Sequence, residues 1–131
     1  MKTHVFRLHR GSDLKNSLTH YAAQHHIPAA VILSCVGCVS QARLRDASGV
    51  TVRTIDEHCE IVSATGTVSE ARSHVHISLS KEDLTTIGGH LCEGCIINTT
   101  CEVVLLELDD VRFGSVFDPE TGYHELAVLP L

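Results

Sequence analysis

Apolar residues recur at two different spacings along the chain, and these spacings separate one helix from a series of strands. After an N-cap signal at Asp13, apolar side chains follow at positions i, i+4, i+7 and i+8, which places them on one face of a helix over residues 14–23. Pro28 prevents the helix from extending much further. We expect this apolar stripe to be buried. Its members are Leu14, Leu18, Tyr21 and Ala22.

Most of the remaining chain has the composition of strands, with runs of Val, Ile and other apolar residues bounded by turn-forming residues. The continuous apolar run Ala29–Cys38 predicts a strand that is buried on both faces. Gly66 indicates a possible bulge within another strand. The other predicted strands are His4–Leu8, Val39–Ala47, Val50–Thr54, Glu60–Val68, Ser73–Ser80, Ile96–Leu108 and Tyr123–Leu129. One early helix followed by about seven to nine strands predicts an α+β fold with a mainly antiparallel, barrel-like sheet.

Composition adds two constraints to this outline. The chain has 131 residues, of which 44% are apolar and 20% charged, so we expect a single globular domain over residues 1–131. Its formal charge is −6, and it contains three Phe, two Tyr and no Trp. Proteins that bind nucleic acid directly carry a basic surface and often stacking aromatics. Direct DNA binding is therefore not expected.

The cellular compartment can also be inferred from the sequence. Residues 1–7 lack the apolar segment of a signal peptide, and no apolar stretch reaches the length of a membrane helix. We therefore expect a cytoplasmic protein, whose six cysteines stay reduced.

The histidines carry the strongest chemical signal in the chain. In the alternating segment Ser73–Ser80, His74 and His76 point to the same face of a strand, where two imidazoles can share a divalent metal ion. His90 follows Gly88-Gly89, where we expect a sharp turn to bring in a third ligand. Cys92 could be a fourth ligand if its segment is extended. The alternative is two solvated histidines and an unrelated loop histidine.

The cysteines form two C-x-x-C motifs, Cys35–Cys38 and Cys92–Cys95, which together could supply a four-thiolate zinc site. The gap between them is much longer than the usual spacing of about 15–20 residues. Residues i and i+3 of a strand also point to opposite faces. These features favour small buried thiols over a structural zinc site.

Three further residues are candidates for a role at the histidine site. Glu60 begins a strand and could act as a general base or support a metal ligand, or it could only pair structurally. Arg43 and Arg45 could bind a small anion, or they could belong to a solvated face with cross-strand ion pairs.

Several motifs together resemble the plant-and-prokaryote-conserved (PPC) domain, also called DUF296. They are Arg10–Leu14, Ala30–Ser34, Glu60–Thr67, His74–Ser80, Gly88–Leu91, Glu93–Cys95 and Glu102–Leu105. The resemblance covers nearly the whole chain. It implies an α+β fold that assembles as a homotrimer, with a divalent metal, expected to be zinc, bound by His74, His76 and His90. The fold is also similar to that of acetolactate decarboxylase, a metal-dependent lyase.

Three functional hypotheses follow from these observations. The first is a free-standing, homotrimeric metal-binding module whose ligand is a small anion or a partner protein. The second is a metal-dependent lyase or hydrolase, in which Glu60 moves protons and Arg43 or Arg45 binds a carboxylate. The third is a DNA-associated regulator, which only the family resemblance implies. This chain has no Arg-Gly-Arg-Pro AT-hook and no basic tail.

Overall fold

The computed structural model describes residues 1–131 and has one helix and nine strands, in the chain order β1, α1, β2 to β9. The helix α1 is Leu14–Gln24. The strands are β1 (Lys2–His9), β2 (Ala30–Arg45), β3 (Val52–Ile55), β4 (Cys59–Val68), β5 (Ser73–Ser80), β6 (Thr86–Leu91), β7 (Ile96–Glu107), β8 (Val111–Asp118) and β9 (Tyr123–Pro130). With its eleven residues, α1 is neither long nor apolar enough to cross a bilayer.

The first seven strands form one antiparallel sheet in the order β1-β7-β2-β4-β5-β6, with β3 added along β2. The long strand β2 pairs with β4 over its first part and meets β6 at its end, where Leu44 lies opposite Leu91. Strands β2, β4, β5 and β6 therefore close on one another as a small barrel. This confirms the predicted α+β fold with a mainly antiparallel sheet.

The helix packs on the inner face of this sheet, as its apolar stripe predicts. Leu14, Leu18 and Ala22 are completely buried, while Tyr21 is half-buried. The Asp13 carboxylate accepts a hydrogen bond of 3.0 Å from the Asn16 backbone N–H, so the predicted N-cap is formed. Each fully buried leucine contributes roughly 1.5–3 kcal/mol to folding through the removal of its side chain from water.

The outer face of the sheet differs from the prediction for the apolar run at Ala29–Cys38. This run continues without a break into the next predicted strand to form β2, and its outward side chains are exposed, 55% for Leu33 and 51% for Val36. Burial on both faces was the wrong prediction for a single chain, because no second layer of the same chain covers this part of the sheet.

The Gly-Gly pair before His90 is also not a turn. Gly88 and Gly89 lie within β6, opposite Ser78 and Ile77 of β5. A Cβ added at Gly89 would lie 2.8 Å from the Arg45 carbonyl oxygen, so a side chain there would push β6 away from β2. The sequence therefore needs glycine for close strand approach, not for a turn.

Gly66 plays the same part in β4. It stays in register opposite Val75, whereas the irregularity of the β4–β5 pairing lies between Ile61 and Ser63. A Cβ at Gly66 would overlap the carbonyl oxygen of His74. The predicted bulge at Gly66 was therefore wrong, and the glycine instead lets β5 pack tightly.

The last two strands form a separate two-stranded hairpin. Phe113 anchors its base, where its side chain is buried and its backbone N–H donates to the Pro28 carbonyl. The apolar side chains beyond the base stay exposed: Val116, Phe117, Tyr123, Leu126, Val128 and Leu129. The single-domain organisation of residues 1–131 stays a prediction, since this hairpin is hydrogen-bonded to no strand of the main sheet.

Candidate metal centre

Three histidine side chains meet on the outer face of the sheet. His74 and His76 stand two residues apart on β5, and His90 of β6 lies directly opposite His76. The ring centroids are 5.1 Å apart for His74 and His76, 5.1 Å for His74 and His90, and 5.7 Å for His76 and His90. One ring nitrogen from each lies within 4.8 Å of the others.

Alternation along β5 produces this arrangement. Val75, Ile77 and Leu79 point inward and are buried in the core, which leaves the intervening histidines on the opposite face. Their orientation is thus fixed by the hydrophobic side of the same strand. Because a one-residue slip would expose the whole apolar set, the register that aligns His76 with His90 is strongly specified.

The three side chains fit a divalent ion of the zinc class. Zinc binds imidazole nitrogen at about 2.0–2.1 Å, which places tetrahedral ligands about 3.4 Å from one another. Small side-chain rotations would bring the histidine nitrogens from their present separation to that distance. His90 Nδ1 is also buried without a hydrogen-bond partner in the chain, so a bound cation would satisfy it. Three histidines leave a fourth position for another ligand.

The surroundings of the cluster favour the metal-binding form of His74 and His90. Burial, and then the positive charge of Arg45, lowers the pKa of His90 from its usual 6.5 to about 4. Burial also lowers the pKa of His74, with further contributions from His76 and Arg72. Neutral imidazole is the metal-binding form, so the lowered values favour coordination at neutral pH.

Arg45 lies beside the histidines, whereas Arg43 does not. Arg45 pairs with His90 across β2 and β6, and it lines a cavity of about 460 Å³ together with His76 and His90. Its Nε is buried and has no acceptor in the chain. Arg43 packs its side chain over Gly94 in the turn before β7. Of the two predicted anion-binding residues, only Arg45 is therefore placed at the site.

The structure does not bring Glu60 to the histidines. Strand register sets Thr65 opposite His76, while Glu60 is opposite Ser80 at the far end of β5. Four residues of strand separate Ser80 from His76, a distance of about 13 Å. Glu60 instead lines a second cavity of about 410 Å³ with Cys38 and His58. Within a single chain, the structure therefore does not place Glu60 beside the metal centre, contrary to the expectation from the sequence.

The cysteines also stay apart from the cluster. The Cys92 thiol is directed to the His90 carbonyl oxygen at 3.7 Å, and the group of facing ligand atoms contains only the three histidines. Cys35 instead faces Cys101, with 3.5 Å between their sulfurs, and the Cys38 thiol donates to the Asn98 carbonyl at 2.7 Å. The two C-x-x-C motifs thus form no four-thiolate site.

Buried Cys95 shows why these thiols behave as core residues. Its side chain is fully buried, and this burial raises the pKa of the thiol to about 11. A thiol with such a pKa stays protonated at neutral pH when no metal is bound, so it is a poor nucleophile.

Two charged residues near the histidines were missed in the sequence. The Arg72 Nη1 is buried without an acceptor, and its charge acts on His74. Glu125 on β9 is the carboxylate whose charge opposes this effect on His74. Arg72 precedes His74 by two residues, so continued strand alternation could have identified it. No local pattern marks Glu125, because folding of the terminal hairpin brings it there.

The geometry defines a class of protein: an α+β protein with three histidines clustered on an antiparallel sheet. A sequence profile of the Plants and Prokaryotes Conserved (PCC) domain matches residues 1–109. The chain therefore belongs to the PCC family, the PPC domain that its motifs resemble. The profile ends just before the β8–β9 hairpin.

Similar proteins include one curated relative and two solved structures. The bifunctional protein GlmU of Synechococcus sp. (strain JA-2-3B'a(2-13)) is 38% identical over all 131 residues, although this chain spans only 21% of that relative's length. A hypothetical protein from Salmonella cholerae-suis is 28% identical with a TM-score of 0.94, covering 98% of this chain and 94% of that one. A metal-containing protein from Archaeoglobus fulgidus is 28% identical with a TM-score of 0.83, covering 97% and 94%.

Proposed function

We propose that this protein is a metal-binding module that holds one divalent ion, zinc by its ligand chemistry, through His74, His76 and His90. The observation that carries the proposal is the convergence of three imidazole nitrogens within 4.8 Å on one sheet face. Imidazole ligands suit zinc and related transition metals better than calcium or magnesium. The metal-containing protein from Archaeoglobus fulgidus supports the proposal as a relative with the same fold.

We propose further that the module assembles as a homotrimer, as its family resemblance implies. The outer face of β1, β2 and β4 supports association, because it exposes apolar side chains that no other part of the chain covers. Their exposed fractions are 72% for Val5, 55% for Leu33, 51% for Val36 and 55% for Val62. Exposed large apolar side chains of this kind favour burial at a subunit interface.

Metal analysis tests the first proposal directly. The protein, purified without chelator and dialysed against a slight excess of zinc, should contain one zinc per chain by elemental analysis. His74→Ala and His76→Ala should each abolish this stoichiometry. His20→Ala is the matched control, since His20 is an exposed helix residue outside the cluster. Metal-free wild-type protein, or variants that retain zinc fully, would contradict the proposal.

A metal-dependent lyase or hydrolase is the second candidate, because the charge of a carboxylate, that of Glu125, acts on His74. Glu125 raises the pKa of His74 against the larger effects that lower it, and we propose it for proton transfer because Glu60 lies at the far end of the neighbouring strand. We expect Glu125→Gln, but not Glu60→Gln, to remove any decarboxylase activity on 2-hydroxy-3-keto acids, whose ketone is β to the carboxylate. Equal loss in both variants, or none in either, would count against Glu125.

Two further properties belong to the proposal. We place the protein in the cytoplasm, where six free cysteines remain reduced. We also propose that the chain alone does not bind DNA, because its charge of −6 repels the phosphate backbone. A mobility shift on duplex DNA that weakens steeply with salt would overturn this second point.

A further inference from the structure

The histidine site carries positive charge that the chain does not neutralise, although the chain as a whole is acidic. None of its four ion pairs involves Arg45 or Arg72. Both arginines act electrostatically on the histidine cluster, Arg45 on His90 and Arg72 on His74. In a chain of charge −6, two guanidinium groups without an ion-pair partner beside one site favour the binding of an anion there.

The two guanidinium groups are also short of hydrogen-bond acceptors. Arg45 Nε and Arg72 Nη1 are buried, and neither has a partner within the chain. A buried donor of a charged group without an acceptor is costly, and arginine pairs best with oxyanions. Together with His90 Nδ1, they are the three buried side-chain polar atoms that lack a partner. Arg45 lies opposite His90 on the neighbouring strand, and Arg72 precedes His74 by two residues, so all three atoms belong to residues at or next to the histidine cluster.

A bound metal increases this charge imbalance. Three neutral histidines contribute no negative charge, so a divalent ion would add two positive charges to those of the arginines. Glu125 is the one carboxylate that acts on His74. It cannot balance the metal and both arginines. A ligand with one or two negative charges would do so, and it could occupy the fourth position on the metal.

The neighbouring cavity fits a small polar ligand. It has a volume of about 460 Å³ and is bordered by Arg45, His76, His90 and Asp46, whose carboxylate pairs with Arg53, while Arg72 lies outside this lining. The hydroxyl groups of Ser63, Thr65 and Ser78 line the same space. Such a lining hydrogen-bonds a hydroxylated molecule and offers little apolar contact.

We propose that the natural ligand of the metal centre is a small oxyanion, a carboxylate or a phosphate, held by Arg45 and Arg72 beside the ion. This rests on the proposed metal function. The new element is the pairing of Arg45 with Arg72, which the sequence analysis did not connect with the site, as the two groups that hold the anion. The arginines bind the oxygen atoms of the anion, while the hydroxyl groups of the cavity bind its polar remainder.

Calorimetric titration of the zinc-loaded protein with inorganic phosphate and, separately, with lactate tests the inference and distinguishes the two anions. Arg45→Gln and Arg72→Gln should each weaken binding of the preferred anion by about tenfold or more, as expected for loss of a charged hydrogen bond. Zinc content should remain one per chain in both variants. Arg7→Gln is the matched control, because Arg7 is an exposed arginine on β1 that bonds Thr100.

The outcomes separate the two proposals. Wild-type protein that takes up no zinc overturns the metal function and this inference with it. The inference alone is overturned if zinc-loaded wild-type protein binds neither anion. It is also overturned if both arginine variants bind the preferred anion as tightly as the wild type does. Light scattering on the same samples adds a third outcome. If the arginine substitutions lower the oligomeric mass, the guanidinium groups pair with a carboxylate of a second copy, and the oxyanion site is rejected.

Discussion

His76 and His90 face each other on neighbouring antiparallel strands, and the same cross-strand row continues on both sides of them. Thr65 of β4 is opposite His76, and Arg45 of β2 is opposite His90. Four strands that are distant in sequence thus align two metal ligands and a cation in one line. The closure of the small barrel, where β6 meets β2, creates this alignment.

Gly89 makes that closure possible, and replacing it should damage both fold and site. In Gly89→Ala the new Cβ would meet the Arg45 carbonyl oxygen at 2.8 Å, so β6 must shift away from β2. We expect unfolding free energy to fall by about 1–3 kcal/mol, the usual cost of overpacking. Zinc affinity should fall as well, because His90 is the next residue. Urea unfolding and zinc competition titration measure the two effects.

Gly114→Ala provides the matched control for this substitution. Gly114 also lies in a strand, but a Cβ there would meet nothing closer than 3.4 Å. Its stability and zinc affinity should stay close to those of the wild type. Equal behaviour of the two variants would show that β6 does not depend on close approach to β2.

The helix and the histidine face could be predicted because both depend on local periodicity. The spacing of Leu14 and Leu18 defines a helical stripe, and the alternation of His74 and His76 defines a strand face, whatever the rest of the chain does. The placement of His90 was harder to predict from the sequence. Gly88-Gly89 has the composition of a turn, and only the neighbouring backbones of β5 and β2 show that the glycines are needed for packing.

The surroundings of the site depend on strand register and on the packing of the terminal hairpin, which local sequence patterns do not specify. Glu60 was predicted to lie close to the histidines because it begins the strand beside theirs. Antiparallel pairing instead places it opposite Ser80, at the far end of β5. Glu125 approaches His74 through the terminal hairpin, more than 50 positions along the chain, where no motif marks it. Long-range pairing decides such neighbours.

The low pKa of His90 predicts a pH-dependent stability in the metal-free protein. The folded-state pKa is about 4 and the unfolded value about 6.5, so the unfolded chain binds more protons between them. Stability is therefore fully present above pH 6.5 and falls as the pH drops towards 4. We expect His90→Asn to reduce this slope when urea unfolding is followed from pH 7 to pH 4.5.

His20→Asn serves as the control for the pH experiment. His20 is exposed on the helix, so its substitution should leave the slope unchanged. A His90→Asn protein with the wild-type slope would show that His90 does not lose its charge on folding.

One carboxylate, that of Asp13, connects the helix to the segment that follows the metal centre. Asp13 accepts from the Asn16 N–H at 3.0 Å and from the Gly94 N–H at 2.7 Å. Asp13→Ala removes the cap and this long-range bond together, so we expect a loss of about 2–4 kcal/mol. Asp13→Asn keeps one acceptor and should lose less. Asp56→Ala is the control in the same unfolding assay, and a loss there as large as in Asp13→Ala would contradict this explanation.

The apolar outer face of the sheet should determine assembly. Val36 of β2 is half exposed in the single chain, and its neighbourhood includes exposed Leu33 on the same strand. In Val36→Glu a charge would have to be buried in the proposed interface, so we expect the mass measured by light scattering to fall from trimer to monomer. Secondary structure should persist, because Val36 does not belong to the core of the single chain.

Val50→Glu alters an equally apolar residue, 79% exposed in the turn before β3, and should leave the mass unchanged. A trimeric Val36→Glu protein would place the interface elsewhere, and the exposed β8–β9 hairpin would then be the surface to alter next.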